Sequence, residues 1–257
     1  HTVILAKSLG IPAIVGAAGL SAELDGENSY LDGYTGMYIV SPDARTEEEY
    51  IRKIKDEELL NKQLEMIKSS EAATKDGERI KVCINIGKPS DMNGTENEKI
   101  DGVGLFRSEF LYSSSKKKPT CDEQTKAYRE VIEKAKPNTV TIRTLDAGGD
   151  KQIEYLNMTP EENPFLGNRG IRLCLNNPEI FSEQLEAILI AAAGKSVKIM
   201  LPMITCTEEI KKTRALISQI EKRLDSEGTD YCKKVSLGIM IETPASAITA
   251  EAFAKQC

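Results

Sequence analysis

The chain has 257 residues, 40% hydrophobic and 29% charged, which is room for one large domain or two small ones with a sizeable core. A net charge of −6, no Trp and few aromatics exclude a general attraction to nucleic acid or an anionic membrane, so any bound anion must be held by a local cluster of Arg and Lys. The six cysteines form no C-x-x-C pair and no apolar run is long enough to cross a bilayer, so the cysteines read as reduced, mostly packing thiols of a cytoplasmic protein.

The chain opens at His1, its only histidine, and the absence of an initiating Met suggests a fragment. Residues 1–43 read as a small α/β piece. "TVILAKSLG" predicts a short helix ending at Gly10, and the β-branched run "IPAIVGA" predicts a buried strand. "DGENSYLDGYTGMYIVSP" sets Gly and Asn turns around "YL" and "MYIV", which predicts a hairpin closed by Pro42.

Residues 44–75 are charged, with apolar residues at Ile51, Ile54, Leu60, Leu64 and Ile67, and predict a long amphipathic helix. Thr46 and Glu49 fit a capping box. It is either a spacer between two domains or a surface helix packed on one of them, and its position between two different composition regimes favours the spacer.

From about residue 78 strand and helix signals alternate. "IKVCINIG", "GVGLFRSEF", "TVTIRTLDAGG", "VKIMLPMI" and "VSLGIMIETP" read as strands. The last four are each followed by a helical pattern, and a polar segment follows the first. This predicts parallel βα units with strands buried on both faces. Asn85, Arg107, Arg143, Met203 and Glu242 fall at or near the carboxyl ends, where βα barrels and open doubly wound sheets both place their sites. No Gly-rich phosphate loop opens a helix, which weighs against the doubly wound sheet.

Those ends hold the candidate chemistry. Arg107 and Arg143 occupy equivalent positions. Each either pairs with a nearby acid such as Glu109 or Asp146, or offers a forked guanidinium to a phosphate or carboxylate. "GGDK", with Lys151, is either a plain turn or a backbone cradle with one cation. "NPFLGNRGIRL" brings Arg169 and Arg172 in a long excursion of the functional kind, Arg172 being the more local of the two. Glu242 is either an ion-pair partner of an arginine or a Mg²⁺ ligand beside substrate oxygens. His1, as a neutral imidazole, suits nucleophilic attack on phosphorus if the rest of the chain handles phosphate.

"HTVILAKSLGIPAIVG", "GVGLFRSEFLY", "TIRTLDAGGDK", "EENPFLGNRGIRL", "IMLPMI" and "IMIETP" occur here in one order. Together they resemble the enzyme I family of the bacterial sugar phosphotransferase system, the phosphoenolpyruvate–protein phosphotransferases, over nearly the whole chain. The resemblance implies an α/β architecture in three parts. Residues 1–43 would be the end of a swivelling phosphohistidine domain, 44–75 a helical linker, and 76–257 the first five βα units of an incomplete (β/α)₈ phosphoenolpyruvate-binding barrel of TIM type. It implies that His1 accepts phosphate from phosphoenolpyruvate and passes it to the carrier protein HPr to drive sugar uptake. It further implies that Arg107 and Arg143 bind the substrate phosphate, that Lys151 and Arg169 line the same site, that Glu242 ligates Mg²⁺, and that the barrel forms a homodimer.

The departures from the family pattern are mainly absences. The approach to the histidine, the HPr-docking subdomain, the last three strands, the second Mg²⁺ ligand and the proton-donating cysteine have no counterpart in the chain, and "SSSKKKPT" differs from the more acidic family segment. Two rivals stand beside this reading. One is a dikinase or phosphoenolpyruvate synthase, in which phosphohistidine exchanges phosphate with a nucleotide. The other is an inactive truncated chain that only dimerises or binds ligand.

Overall fold

The computed structural model describes residues 6, 10–96, 98–113, 117–149, 153–156, 161–163 and 165–257. It divides into two compact units, 1–69 and 70–257.

In the first unit, β1 (Ser29–Asp32) pairs antiparallel with β2 (Met37–Val40), Ser29 opposite Val40. The Asp32 carboxylate makes the turn by accepting from the backbone N–H groups of Tyr34 and Thr35, at 2.9 and 3.1 Å. The expected hairpin is therefore present. The expected buried strand over 11–17 is not: the segment makes no ladder, and Ile11 and Val15 are exposed. A β-branched run becomes a strand only beside a partner. Here the segment instead passes over the hairpin turn, where a Cβ on Gly33 would lie 3.5 Å from Ala13 N. The helix expected before Gly10 lies outside the described residues, apart from Ala6.

Helix α1 runs Ala44–Ile67 and so stops short of residue 75. Its N-cap is Asp43, not Thr46: the Asp43 carboxylate accepts from Thr46 N at 2.8 Å. Tyr50 is buried and stacks on Tyr30 with ring centroids 5.1 Å apart. The remaining apolar stripe, Ile51, Ile54, Leu60, Leu64 and Ile67, is exposed.

The second unit is a mixed α/β fold around a parallel five-stranded sheet. Its strands are β3 (Ile84–Ile86), β4 (Gly102–Arg107), β5 (Thr139–Arg143), β6 (Val197–Leu201) and β7 (Ser236–Ile239), hydrogen-bonded in sequence order without a reversal. The connecting helices are α2 (Glu109–Ser113), α3 (Cys121–Ala135), α4 (Ile171–Asn176), α5 (Pro178–Ala191), α6 (Thr207–Glu227), α7 (Pro244–Ile248) and α8 (Ala250–Ala254). Local sequence sets their ends. Thr120 and Glu123 form a reciprocal capping box at α3, and Gly228, at φ 68°, ends α6 in the left-handed conformation.

The sheet is fully buried on one face and only partly on the other, where its apolar strands predict burial on both; on the second face Arg143 is buried and Thr141 and Met200 are half-buried. Val140, Ile142, Val197, Ile199, Leu201 and Leu237 point into the core, while Lys198 and Ser236 on the alternate row are exposed. The reason is the crossover geometry: α3 packs on α5 and α5 on α6, so the long helices form a single layer. Phe106 and Tyr128, edge to face at 5.7 Å, join that layer to the sheet. The thiols also depart from expectation. Cys174 and Cys232 are buried, but Cys83, Cys206 and Cys257 are exposed.

Candidate functional site

The carboxyl ends of β4 to β7 carry most of the residues singled out in the sequence. Arg107 closes β4 and Arg143 closes β5, and the two are Cα register partners, so they share one face of the sheet. Their surroundings differ. Arg143 is 6% exposed; its Nη2 is bonded to Glu109 Oε1 and its Nη1 lies 3.4 Å from Asp146 Oδ2. Its Nε is buried without a hydrogen-bond partner among the described residues, as is Thr144 Oγ1. Arg107 is half-buried, and its guanidinium has neither an ion pair nor a hydrogen bond among the described residues. The ion-pair reading therefore holds for Arg143, with both acids named for it, and fails for Arg107.

Arg169 joins the cluster from the excursion after β5. Its Nε donates to Asp146 Oδ1 at 3.2 Å and its Nη1 to Gly148 O at 3.4 Å. Its guanidinium also lies 4.7 Å from the centre of the Phe165 ring. The first glycine of "GGDK" explains the close approach. Gly148 has φ 120°, and a Cβ there would sit 2.8 Å from Asn168 O and 2.9 Å from Arg169 Cα. Glycine at this position lets chain approach chain, and so seats Arg169. Lys151 and His1 lie outside the described residues. Arg172 is local: it donates to the carbonyls of Gly167, Phe165 and Met203 and ties the excursion together.

Glu242 follows β7. Its Oε1 accepts from Met203 N at 2.7 Å, and among the described residues it forms no ion pair with an arginine. Met203 has φ 59°, uncommon for a non-glycine residue, and lies against Gly170, where a Cβ would meet Met203 Cβ at 2.9 Å. The turn after β6 is thus wedged between the start of α4 and the carboxylate after β7. No group of three or more metal-ligating side chains is present among the described residues.

Two features escaped the sequence reading. "GVGLFRSEF" is strand only to Arg107; Glu109 opens helix α2, which turns its carboxylate back onto Arg143. Behind the sheet, Ser108 and Gln184 form a buried polar link to the Arg143 carbonyl. The available clue was Gln184 itself, a polar residue in line with Phe181, Leu185 and Ile188 on the apolar face of α5. Cys174, beneath this loop, is a packing thiol: burial pushes its pKa up, away from the reactive thiolate.

The family model described as PEP-utilising enzyme, PEP-binding domain, matches residues 61–257. The chain belongs to the PEP-utilising enzymes. A second model, PEP-utilising enzyme, mobile domain, matches residues 1–36. Arg107, Arg143, Lys151, Arg169 and Glu242 thus fall in the PEP-binding match, and His1 in the mobile-domain match. Similar relatives include the phosphoenolpyruvate-protein phosphotransferases of Staphylococcus carnosus (strain TM300), 39% identical over 257 residues, and Bacillus subtilis (strain 168), 38% identical over 257 residues. That of Staphylococcus aureus (strain MSSA476) is 40% identical over 260 aligned positions. Each match covers 100% of this chain and 45% of the relative, so the chain spans just under half the length of the curated relatives it matches. The resemblance to phosphoenolpyruvate–protein phosphotransferases expected from the motifs is borne out. No described helix is long and apolar enough to cross a membrane.

Proposed function

We propose that these residues are part of a phosphoenolpyruvate–protein phosphotransferase and that the carboxyl ends of β4 to β7 hold phosphoenolpyruvate. The observation that carries this reading is Arg107: a strand-end guanidinium without a partner among the described residues, in register with a buried arginine already compensated by carboxylates. Such a pair presents one uncommitted fork and one fixed positive anchor to a phosphate. Arg169 adds positive charge on the same side through its contact with Asp146, and the family resemblance assigns Lys151 to the same site.

The family resemblance supplies the rest of the proposal. His1 is the acceptor. A ring nitrogen of His1 forms a bond to phosphorus, the bond from phosphorus to the enol oxygen breaks, and enolpyruvate leaves to become pyruvate on taking a proton. Phosphohistidine then passes its phosphate to HPr, which drives sugar uptake in the cytoplasm. The end of the phosphohistidine domain, 1–43, the linker 44–75 and the barrel 76–257 divide collection from delivery. Sequential strand order and a single helix layer support reading the sheet as an arc of a (β/α)₈ barrel. The barrel is also the proposed homodimer surface.

Mg²⁺ fits here to a limited extent. Glu242 keeps one carboxylate oxygen clear of the Met203 N–H, and Mg²⁺ is commonly held by one or two carboxylates plus substrate oxygens. Glu242 would be one ligand, and the ion, when bound, would neutralise charge on the substrate. The arginines bind and orient the phosphate without it.

The test is to incubate the full polypeptide carrying these residues with labelled phosphoenolpyruvate and Mg²⁺ and to map the label. Acid-labile label on His1, absent from His1→Ala, is expected. Label elsewhere, or none, contradicts the proposal. For the isolated 257-residue chain, with β7 at the sheet edge, poor solubility and slow labelling are expected.

A further inference from the structure

Gln184 sits on α5, on the helix side of the sheet, and is 1% exposed. Its carboxamide orientation is dictated by its neighbours. The Leu145 amide can only donate, so Oε1 faces it at 2.9 Å and Nε2 points the other way. Nε2 then donates to Ser108 Oγ at 3.0 Å and to Tyr128 OH at 3.1 Å. Ser108, having accepted, donates its own proton to the Arg143 carbonyl at 2.6 Å. Tyr128 OH passes its proton toward Gln124 Oε1 at 3.5 Å, which also accepts from Tyr112 OH at 2.9 Å.

This chain of donors reaches the two residues that matter most. Ser108 directly follows Arg107, and Leu145 lies two residues past Arg143. The β4–β5 ladder ends at the Arg107–Arg143 pair. Beyond it, the spacing of the two strand ends is set by the Ser108–Arg143 bond and by the Gln184 bridge from Ser108 to Leu145. A buried amide network adds little net stability compared with apolar packing. What it adds is a fixed geometry, because every donor in it has one acceptor.

We propose that Gln184, acting through Ser108, is a positioning residue that sets the separation of the Arg107 and Arg143 guanidiniums. It touches no substrate. This inference rests on the proposed reading of those arginines as the phosphate-binding pair.

The experiment measures phosphoenolpyruvate affinity by calorimetry on the full polypeptide, at a temperature where circular dichroism shows each variant folded. Wild type, Arg107→Ala, Ser108→Ala, Ser108→Thr and Gln184→Met are compared. Misplacing a binding group by a fraction of an ångström to an ångström is costly, so Ser108→Ala and Gln184→Met are expected to raise Kd roughly tenfold. Ser108→Thr keeps the hydroxyl and is expected to stay within about threefold of wild type. Loss of binding in Arg107→Ala, with these shifts, supports the proposal. Wild-type affinity in Ser108→Ala alongside loss in Arg107→Ala overturns the positioning role alone. Wild-type affinity in Arg107→Ala overturns the reading beneath it and the positioning role with it. Should Gln184→Met fail to fold, Ser108→Ala decides, since a lowered melting temperature alone does not move the Kd of a folded protein.

Discussion

Arg107 and Arg143 face each other across one rung of the parallel sheet, yet among the described residues carboxylates hold Arg143 and not Arg107. Arg143 therefore has a part in the fold whether or not it binds substrate, and the role proposed for Arg107 is in the site alone.

That difference predicts unequal effects on stability. Arg143→Ala would leave the Glu109 and Asp146 carboxylates buried with less compensating charge, at a cost of about 3–5 kcal/mol. Arg107→Ala removes a half-buried cation with no partner among the described residues and should fall within about 0.5 kcal/mol of wild type. Urea unfolding of both variants checks this. Equal stabilities would show that the Arg143 ion pairs contribute nothing.

The turn after β6 gives a second prediction. Gly170→Ala meets a left-handed φ of 54° and also drives a Cβ to 2.9 Å from Met203 Cβ, which displaces the backbone that donates to Glu242. Gly194 has a similar φ of 66° but open space around it. Gly194→Ala should cost roughly 1–2 kcal/mol from backbone strain alone. Gly170→Ala should cost more and should also weaken the response of phosphoenolpyruvate binding to Mg²⁺. Melting curves that rank the two the other way would remove the steric argument.

At the start of α1 the prediction concerns pH. Hydrogen bonds from Thr46, side chain first and then backbone, hold the Asp43 carboxyl below its ordinary value of 3.8. A depressed folded value means that the cap's contribution is fully present above the unfolded pKa and disappears as pH falls through the lower, folded one. Helicity of 44–67 should therefore decline in that acid window. Asp43→Asn caps without titrating and should flatten the decline. Identical acid profiles for the two proteins would mean that Asp43 does not control this helix end.

These contrasts also mark what the sequence made legible. Apolar runs that alternate with helical patterns, each with an arginine at or near its carboxyl end, were enough to find β4 and β5, though both strands stop at the arginine, short of the runs read as strand. The same reasoning failed at residues 11–17, where β-branched residues met no ladder partner, and at Glu109, where the chain turns into α2 one residue after Ser108. It could name Glu109 and Asp146 as possible partners but not see that Arg143 takes both. Gln184 was hidden for another reason. Its partners, Ser108 and Leu145, are 76 and 39 residues away in sequence, and only the packing of α5 on the sheet brings them together.

The central claim is that Arg107 is the uncommitted half of a phosphate-binding pair. Its most direct test is the Kd of phosphoenolpyruvate for the full polypeptide and for Arg107→Lys, which keeps the charge and loses the fork. The account predicts an unchanged melting temperature and binding at least about tenfold weaker, with a loss of roughly 2–4 kcal/mol in transition-state stabilisation when transfer is followed. Arg107→Lys with wild-type affinity and turnover would contradict it.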